Sequence, residues 1–86
     1  MTLFESVARE IIGCISRHRP IAEEEISLDS PIVDELNVAG DDVSDIAYRV
    51  HKKFAIDERA GDYSSVVTVR DWVNLIVSEV EKRAAR

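Results

Sequence analysis

Gly40-Asp41-Asp42-Val43-Ser44-Asp45-Ile46-Ala47-Tyr48-Arg49-Val50-His51-Lys52-Lys53-Phe54 is the stretch on which the fold turns. Val43, Ile46, Ala47, Val50 and Phe54 recur at three- and four-residue steps, which puts five apolar side chains on one face of a 3.6-residue helix. Asp41 and Asp42 stand where a carboxylate can accept from the free amides of a first turn. A helix with one apolar face must bury it, so the rest of the chain has to supply partners.

Two flanking segments do so. Upstream, Phe4, Val7, Ala8, Ile11 and Ile15 keep helical spacing, and Thr2 with Glu5 has the form of a capping box. Arg17, His18 and Arg19 suit the negative end of that helix, and Pro20 stops it. Downstream, Thr68 and Asp71 repeat the start signal ahead of Val69, Trp72, Val73, Ile76 and Val80, and that last helix runs into a charged tail expected to fray.

Between these helices the period is lost. Ile21 to Leu36 carries the acidic run Glu23-Glu24-Glu25 and the pair Ser30-Pro31, which reads as a long ordered loop with one capped turn. Asp57 to Ser65 is polar, contains Gly61, and holds at most a short third helix. Ile32-Val33 and Val66-Val67 are the places where a short strand could form. Helices with no sustained alternation give an all-α fold: an antiparallel bundle of three to four helices with a long first loop. The core is expected to contain Phe4, Val7, Ile11, Ile15, Ile46, Val50, Phe54, Trp72, Val73 and Ile76.

At 86 residues the chain has room for one domain, 1–86. Its composition, 45% hydrophobic and 33% charged, is too apolar for a disordered chain. A net charge of -6 repels phosphate backbones and anionic bilayers, which argues against nucleic acid and membrane as partners. With no membrane-length apolar run and no secretory pattern at Met1-Thr2-Leu3-Phe4-Glu5, a cytoplasmic location is expected.

The candidates for chemistry are few. The single cysteine, Cys14, lies beside Ile11 and Ile15 and reads as a small core residue. His18 reads as a helix-end cation and His51 as a solvated side chain, and neither has a partner at metal-ligand spacing. Phe54 and Trp72 sit within apolar stripes and read as core, not as a ligand-facing pair. No paired carboxylates, nucleophile–base set or Gly-rich phosphate loop is present, so an enzyme is not expected.

Several local sequences then point the same way. Ile11-Ile12-Gly13 on the first helix, Ser30-Pro31-Ile32-Val33-Asp34-Glu35-Leu36 before the second, and Thr68-Val69-Arg70-Asp71-Trp72-Val73-Asn74-Leu75-Ile76 at the last resemble, in order and spacing, the acyl carrier protein family. The resemblance implies a long helix, a long loop, a central helix, a short helix and a final helix. It also implies an Asp-Ser-Leu motif whose serine, at the start of the central helix, takes phosphopantetheine from coenzyme A. A serine there exposes its hydroxyl and sets the resulting phosphodiester at the positive end of a helix.

Counting forward from Leu36 and back from Phe54 without a gap puts that serine position on Gly40 and the aspartate before it on Ala39. Glycine has no nucleophile, so no covalent cofactor is expected. Val38-Ala39-Gly40-Asp41-Asp42-Val43 is similar to a group of bacterial carrier-like proteins with Gly-Asp-Asp at this place. The alternative is Ser44, one helical turn later, which would make the chain a working carrier with phosphopantetheine at a displaced serine. Ser44 follows Val43 and precedes Asp45, neither of which fits the motif.

The resemblance also implies recognition by partner proteins, including enzymes of fatty-acid or polyketide metabolism, through the central helix. Here the candidate interaction face is Asp41, Asp42, Asp45, Arg49, Lys52 and Lys53, which is zwitterionic where carriers are acidic. The plainer reading is that these charges follow the helix dipole, with Asp45 and Arg49 adding an i,i+4 pair.

Overall fold

The computed structural model describes residues 1–84; Ala85 and Arg86, the end of the expected charged tail, lie outside the described residues. The fold is all-α. Helix α1 spans Leu3–His18, α2 spans Asp41–Lys53 and α3 spans Val69–Ala84, and single 3-10 turns occupy Glu23–Glu25 and Tyr63–Ser65. The place of a short third helix is thus taken by one turn at Tyr63.

Helix α1 starts on the expected capping box. Glu5 N–H donates to Thr2 Oγ1 at 3.1 Å, and Thr2 N–H donates to Glu5 Oε1 at 3.2 Å. It ends at Arg19, which is extended at φ -122, ψ 149 because the proline ring that follows disfavours the helical region. Helix α3 uses the same reciprocal device. Asp71 N–H donates to Thr68 Oγ1, and Asp71 Oδ2 accepts from the amides of both Thr68 and Val67 at 3.0 Å.

Helix α1 is the central element and packs against both α2 and α3. Side-chain contacts show the direction of α2 against it: Arg19 lies near Asp42 and His18 near Asp45, whereas Lys53, at the far end of α2, reaches back to Glu10 at 3.1 Å. The two helices are therefore antiparallel.

Eight of the expected core residues are fully buried: Val7, Ile11, Ile15, Ile46, Val50, Trp72, Val73 and Ile76. Phe4 and Phe54 are only partly buried and pack against the core's edge, because each lies at an end of its helix where the neighbouring helix no longer covers it. The long loop supplies core of its own. Ile26, Ile32, Leu36 and Val38 are buried, and Ile56 closes the far end.

The loop is held in place by α3's approach segment. Ile32 N–H donates to Val67 C=O at 2.8 Å beside an isolated antiparallel bridge between Pro31 and Thr68. The two apolar pairs that could have formed strands thus meet each other, but for one bridge only. Among the described residues there is no strand.

Helix α2 departs from the expected capping at its N-terminus. Its N-cap is Gly40, not Asp41 or Asp42, and no side chain caps it. At the other end Ala55 takes the left-handed conformation, φ 56, with Ile56 N–H donating to His51 C=O and Ala55 N–H to Lys52 C=O. That pair of bonds is a Schellman cap, built here on alanine where glycine is usual.

Candidate functional site

Gly40 ends the long loop and opens α2. Its backbone sits at φ 55, ψ -118, and Asp42 N–H donates to Ala39 C=O at 3.1 Å across it. A side chain at this φ and ψ is strained in an L-residue, which is why glycine stands here. Nothing lies within 4 Å of where a Cβ would project, so the demand comes from the backbone and not from crowding.

Beside Gly40 lies a hollow of about 350 Å³, lined chiefly by Val33, Val43, Tyr63, Val66 and Trp72. That volume is at the lower end of the range for small ligand sites. Three elements converge on it: the loop through Val33, α2 through Val43, and the segment before α3 through Val66. Val33 is 55% exposed at its rim.

Tyr63 forms one wall and is held by a directional chain of hydrogen bonds. Trp72 Nε1–H can only donate, so at 2.9 Å it gives its proton to Tyr63 Oη. The Asp57 carbonyl can only accept, so His51 Nδ1, at 2.8 Å, carries the proton. In the neutral ring Nε2 is then the acceptor, and Tyr63 O–H donates to it at 2.7 Å. Burial pushes the Tyr63 hydroxyl up to about 12, opposed by the bond from Trp72, so it keeps its proton through the physiological range.

His51 was expected in solvent and is instead 1% exposed. It follows Ala47 by four residues and so extends α2's apolar face, and the Asp57–Tyr63 segment folds over it. Spacing alone could have signalled this. Through His51, Tyr63 and Trp72 the chain ties α2 to α3.

Cys14 is a buried free thiol, as expected of a core residue; burial and the nearby Glu10 raise its pKa. His18 sits in the last turn of α1 with Nε2 3.6 Å from Asp45 Oδ2.

The six charges of the candidate face divide. Asp42, Asp45 and Lys53 turn toward α1, onto Arg19, His18 and Glu10. Asp45 therefore pairs with His18 and not with Arg49. Asp41, Arg49 and Lys52 are exposed with no ion pair among the described residues, and Lys52 Nζ lies 5.9 Å from the centre of the Tyr48 ring. Ser44 is exposed on α2 and borders a second, shallower groove with Tyr48, Glu58 and Arg59.

The sequence carries one further signal. Between Pro20 and Tyr48 there are nine carboxylates and no lysine, arginine or histidine. The positive half of α2 lies at its far end, and the cation beside the start of α2 comes from the end of α1, Arg19 on Asp42. Among the described residues no group of acidic, histidine or cysteine side chains could hold a metal ion, and no helix is long and apolar enough to cross a membrane.

No family model matches the chain, and no solved structure matches it. Among curated proteins, one from Coprothermobacter proteolyticus named acyl carrier protein is 28% identical over 76 residues. The aligned residues cover 88% of this chain and 93% of that relative, so the likeness is distant in identity and nearly complete in extent.

Proposed function

We propose that this acyl-carrier-like chain is a non-enzymatic bacterial protein that works without a covalently attached arm, through contact with other proteins in the cytoplasm. The observation that carries the reading is Gly40. The resemblance implies a serine at the start of the central helix, and that start is a glycine whose backbone, at φ 55 and ψ -118, is poorly suited to any L-side chain.

The residues around that position do not fit phosphopantetheine. No hydroxyl is available at Ala39 or Gly40, and the exposed carboxylate of Asp41 follows directly. The partners the resemblance suggests are enzymes of fatty-acid or polyketide metabolism, or a regulator of them.

A second reading rests on Ser44. Its side chain is exposed and makes no hydrogen bond among the described residues, so a transferase could reach it, and the chain would then carry acyl groups from a displaced site.

Intact-mass spectrometry separates the two. The wild-type chain, incubated with coenzyme A and a promiscuous phosphopantetheinyl transferase, is expected to keep its unmodified mass. A phosphopantetheine adduct mapped by peptide fragmentation to Ser44 would establish the second reading and end the first.

A further inference from the structure

Of the residues from Asp57 to Ser65 none is buried, and only Ala60 and Tyr63 are partly so. The segment's backbone bonds stay local: Ala60 N–H donates to Asp57 C=O, and Val66 N–H to Tyr63 C=O. Its carboxylates also stay local, Asp57 accepting from the Arg59 amide and Asp62 from the Ser64 amide and hydroxyl. Among the described residues no ion pair joins the segment to a helix. Three hydrogen bonds do, and they are the chain already described: His51 Nδ1–H to Asp57 C=O, Tyr63 O–H to His51 Nε2, and Trp72 Nε1–H to Tyr63 Oη. The remaining ties are the Tyr63 ring on the edge of Trp72 and the close approach of Gly61 to Leu75.

That chain works in one protonation state of His51. A second proton on the ring goes to Nε2, the nitrogen that accepts from Tyr63, and turns it into a donor. The Tyr63 oxygen then faces two N–H donors, while its own proton, which burial makes it keep, loses its acceptor. The new charge sits on a ring that is 1% exposed, and among the described residues no carboxylate lies within 4 Å of either ring nitrogen. The charged groups of the surrounding elements are engaged elsewhere: Glu10 of α1 with Arg17 and Lys53, Lys52 of α2 over the Tyr48 ring, and Asp71 of α3 with the amides of Thr68 and Val67. A buried charge without a counter-ion and a donor without an acceptor both cost free energy, and both costs are removed when water reaches the ring and the hydroxyl.

We propose that the segment from Asp57 to Ser65 is a proton-released strap: neutral His51 holds it across α2 and α3, and protonation of His51 lets it go while the three helices stay folded. Tyr63 is a wall of both the hollow at Gly40 and the groove at Ser44, so release reshapes the two together. The device goes beyond the protein-contact reading and does not depend on it.

The test follows the wild-type chain by NMR from about pH 7.5 to about pH 4.5, a range that spans the ordinary imidazole value of about 6.5. Imidazole nitrogen signals, assigned separately for His18 and His51, report each ring's protonation and tautomer. At the upper end His51 should carry its proton on Nδ1. As its ring protonates, the Ala60 and Val66 amides should lose about tenfold or more of their exchange protection, after correction for intrinsic exchange, and the relaxation of amides 57–65 should show increased motion while α1 amides are unchanged.

Tyr63→Phe should loosen the strap already at about pH 7.5. His51→Gln, whose side chain takes no proton, should make the strap's protection independent of pH across the range. The wild-type measurement decides the matter even where a variant does not fold. A strap still protected after His51 has protonated, a His51 ring neutral to the end of the range, a neutral ring with its proton on Nε2, loss of α1 and α3 order at the same midpoint, or the wild-type pH response in His51→Gln would each overturn the proposal. Modification of Ser44 in the mass experiment would overturn the proposed function while leaving these measurements as they stand.

Discussion

Replacing Gly40 by alanine in both chiral forms tests the backbone argument directly. At φ 55, ψ -118 an L-residue lies in a region occupied almost only by glycine, and holding one there costs about 1–3 kcal/mol. Beyond Gly40 and its two chain neighbours no atom lies within 4 Å of the added L-methyl, so crowding does not complicate the figure. A D-residue has the mirror-image map, in which the same angles are ordinary extended backbone. D-alanine should therefore avoid that backbone strain and be more stable than the L form by about 1–3 kcal/mol.

Both variants can be made by chemical synthesis and unfolded in urea, with Trp72 as the probe. For a domain of this size, each kcal/mol moves the melting temperature by about 4–8 °C. The L form should therefore melt several degrees to about 20 °C below the D form. Serine at the same position should behave as L-alanine does, less the few tenths of a kcal/mol by which serine betters glycine as a helix cap. Equal stability of the L and D forms would refute the reasoning, because the effect depends on handedness alone.

Other substitutions probe other parts of the site. Tyr63→Phe removes the shared hydroxyl and leaves Trp72 Nε1 and His51 Nε2 without their partner, which should cost about 1–3 kcal/mol in urea unfolding; a loss below about 0.5 kcal/mol would show the chain of bonds to be idle. Trp72→Ala should cost about 3–5 kcal/mol, and Phe54→Ala clearly less because Phe54 is only partly buried. Ala55→Gly relieves a left-handed alanine in the cap of α2 and should raise stability by up to about 1 kcal/mol in the same assay. Amides of Thr68 and Val67 hold the Asp71 carboxyl below its ordinary value of 3.8, so its contribution to stability is present above that pH and lost as pH falls through the lower folded value. The acid limb of the wild-type stability curve should accordingly flatten in Asp71→Asn.

The helices were legible because each is marked twice, once by apolar spacing and once by a terminus with its own chemistry. Thr2 with Glu5 and Thr68 with Asp71 are reciprocal caps that sequence alone identifies. The start of α2 was legible in position but not in mechanism. Asp41 and Asp42 looked like caps, whereas the turn is made by backbone angles that only glycine takes readily, and such angles leave no pattern in neighbouring residues. The core contributed by Ile26, Ile32, Leu36 and Val38 was hidden for a related reason: a loop buries residues through its path, which has no period. The burial of His51 is hidden in the sequence because a polar ring in an apolar stripe shows its place only through its partners, and Tyr63 and the Asp57 carbonyl come from a polar segment with no helical period.

The hollow and the glycine turn are linked by geometry. Asp42 N–H reaches Ala39 C=O only because Gly40 reverses the chain within one residue, and that reversal brings Ala39 and Val43 to the same hollow as Val33. A serine placed at position 40 in an ordinary extended cap would have to open the Ala39–Asp42 turn, and the hollow's lower wall would move with it. Restoring the hydroxyl is thus not a local change. The same backbone that leaves the position without a nucleophile also shapes the apolar space beside it, so L-alanine at position 40, which lacks a hydroxyl as glycine does, should still shift the methyl NMR signals of Val33 and Val43 that line the hollow.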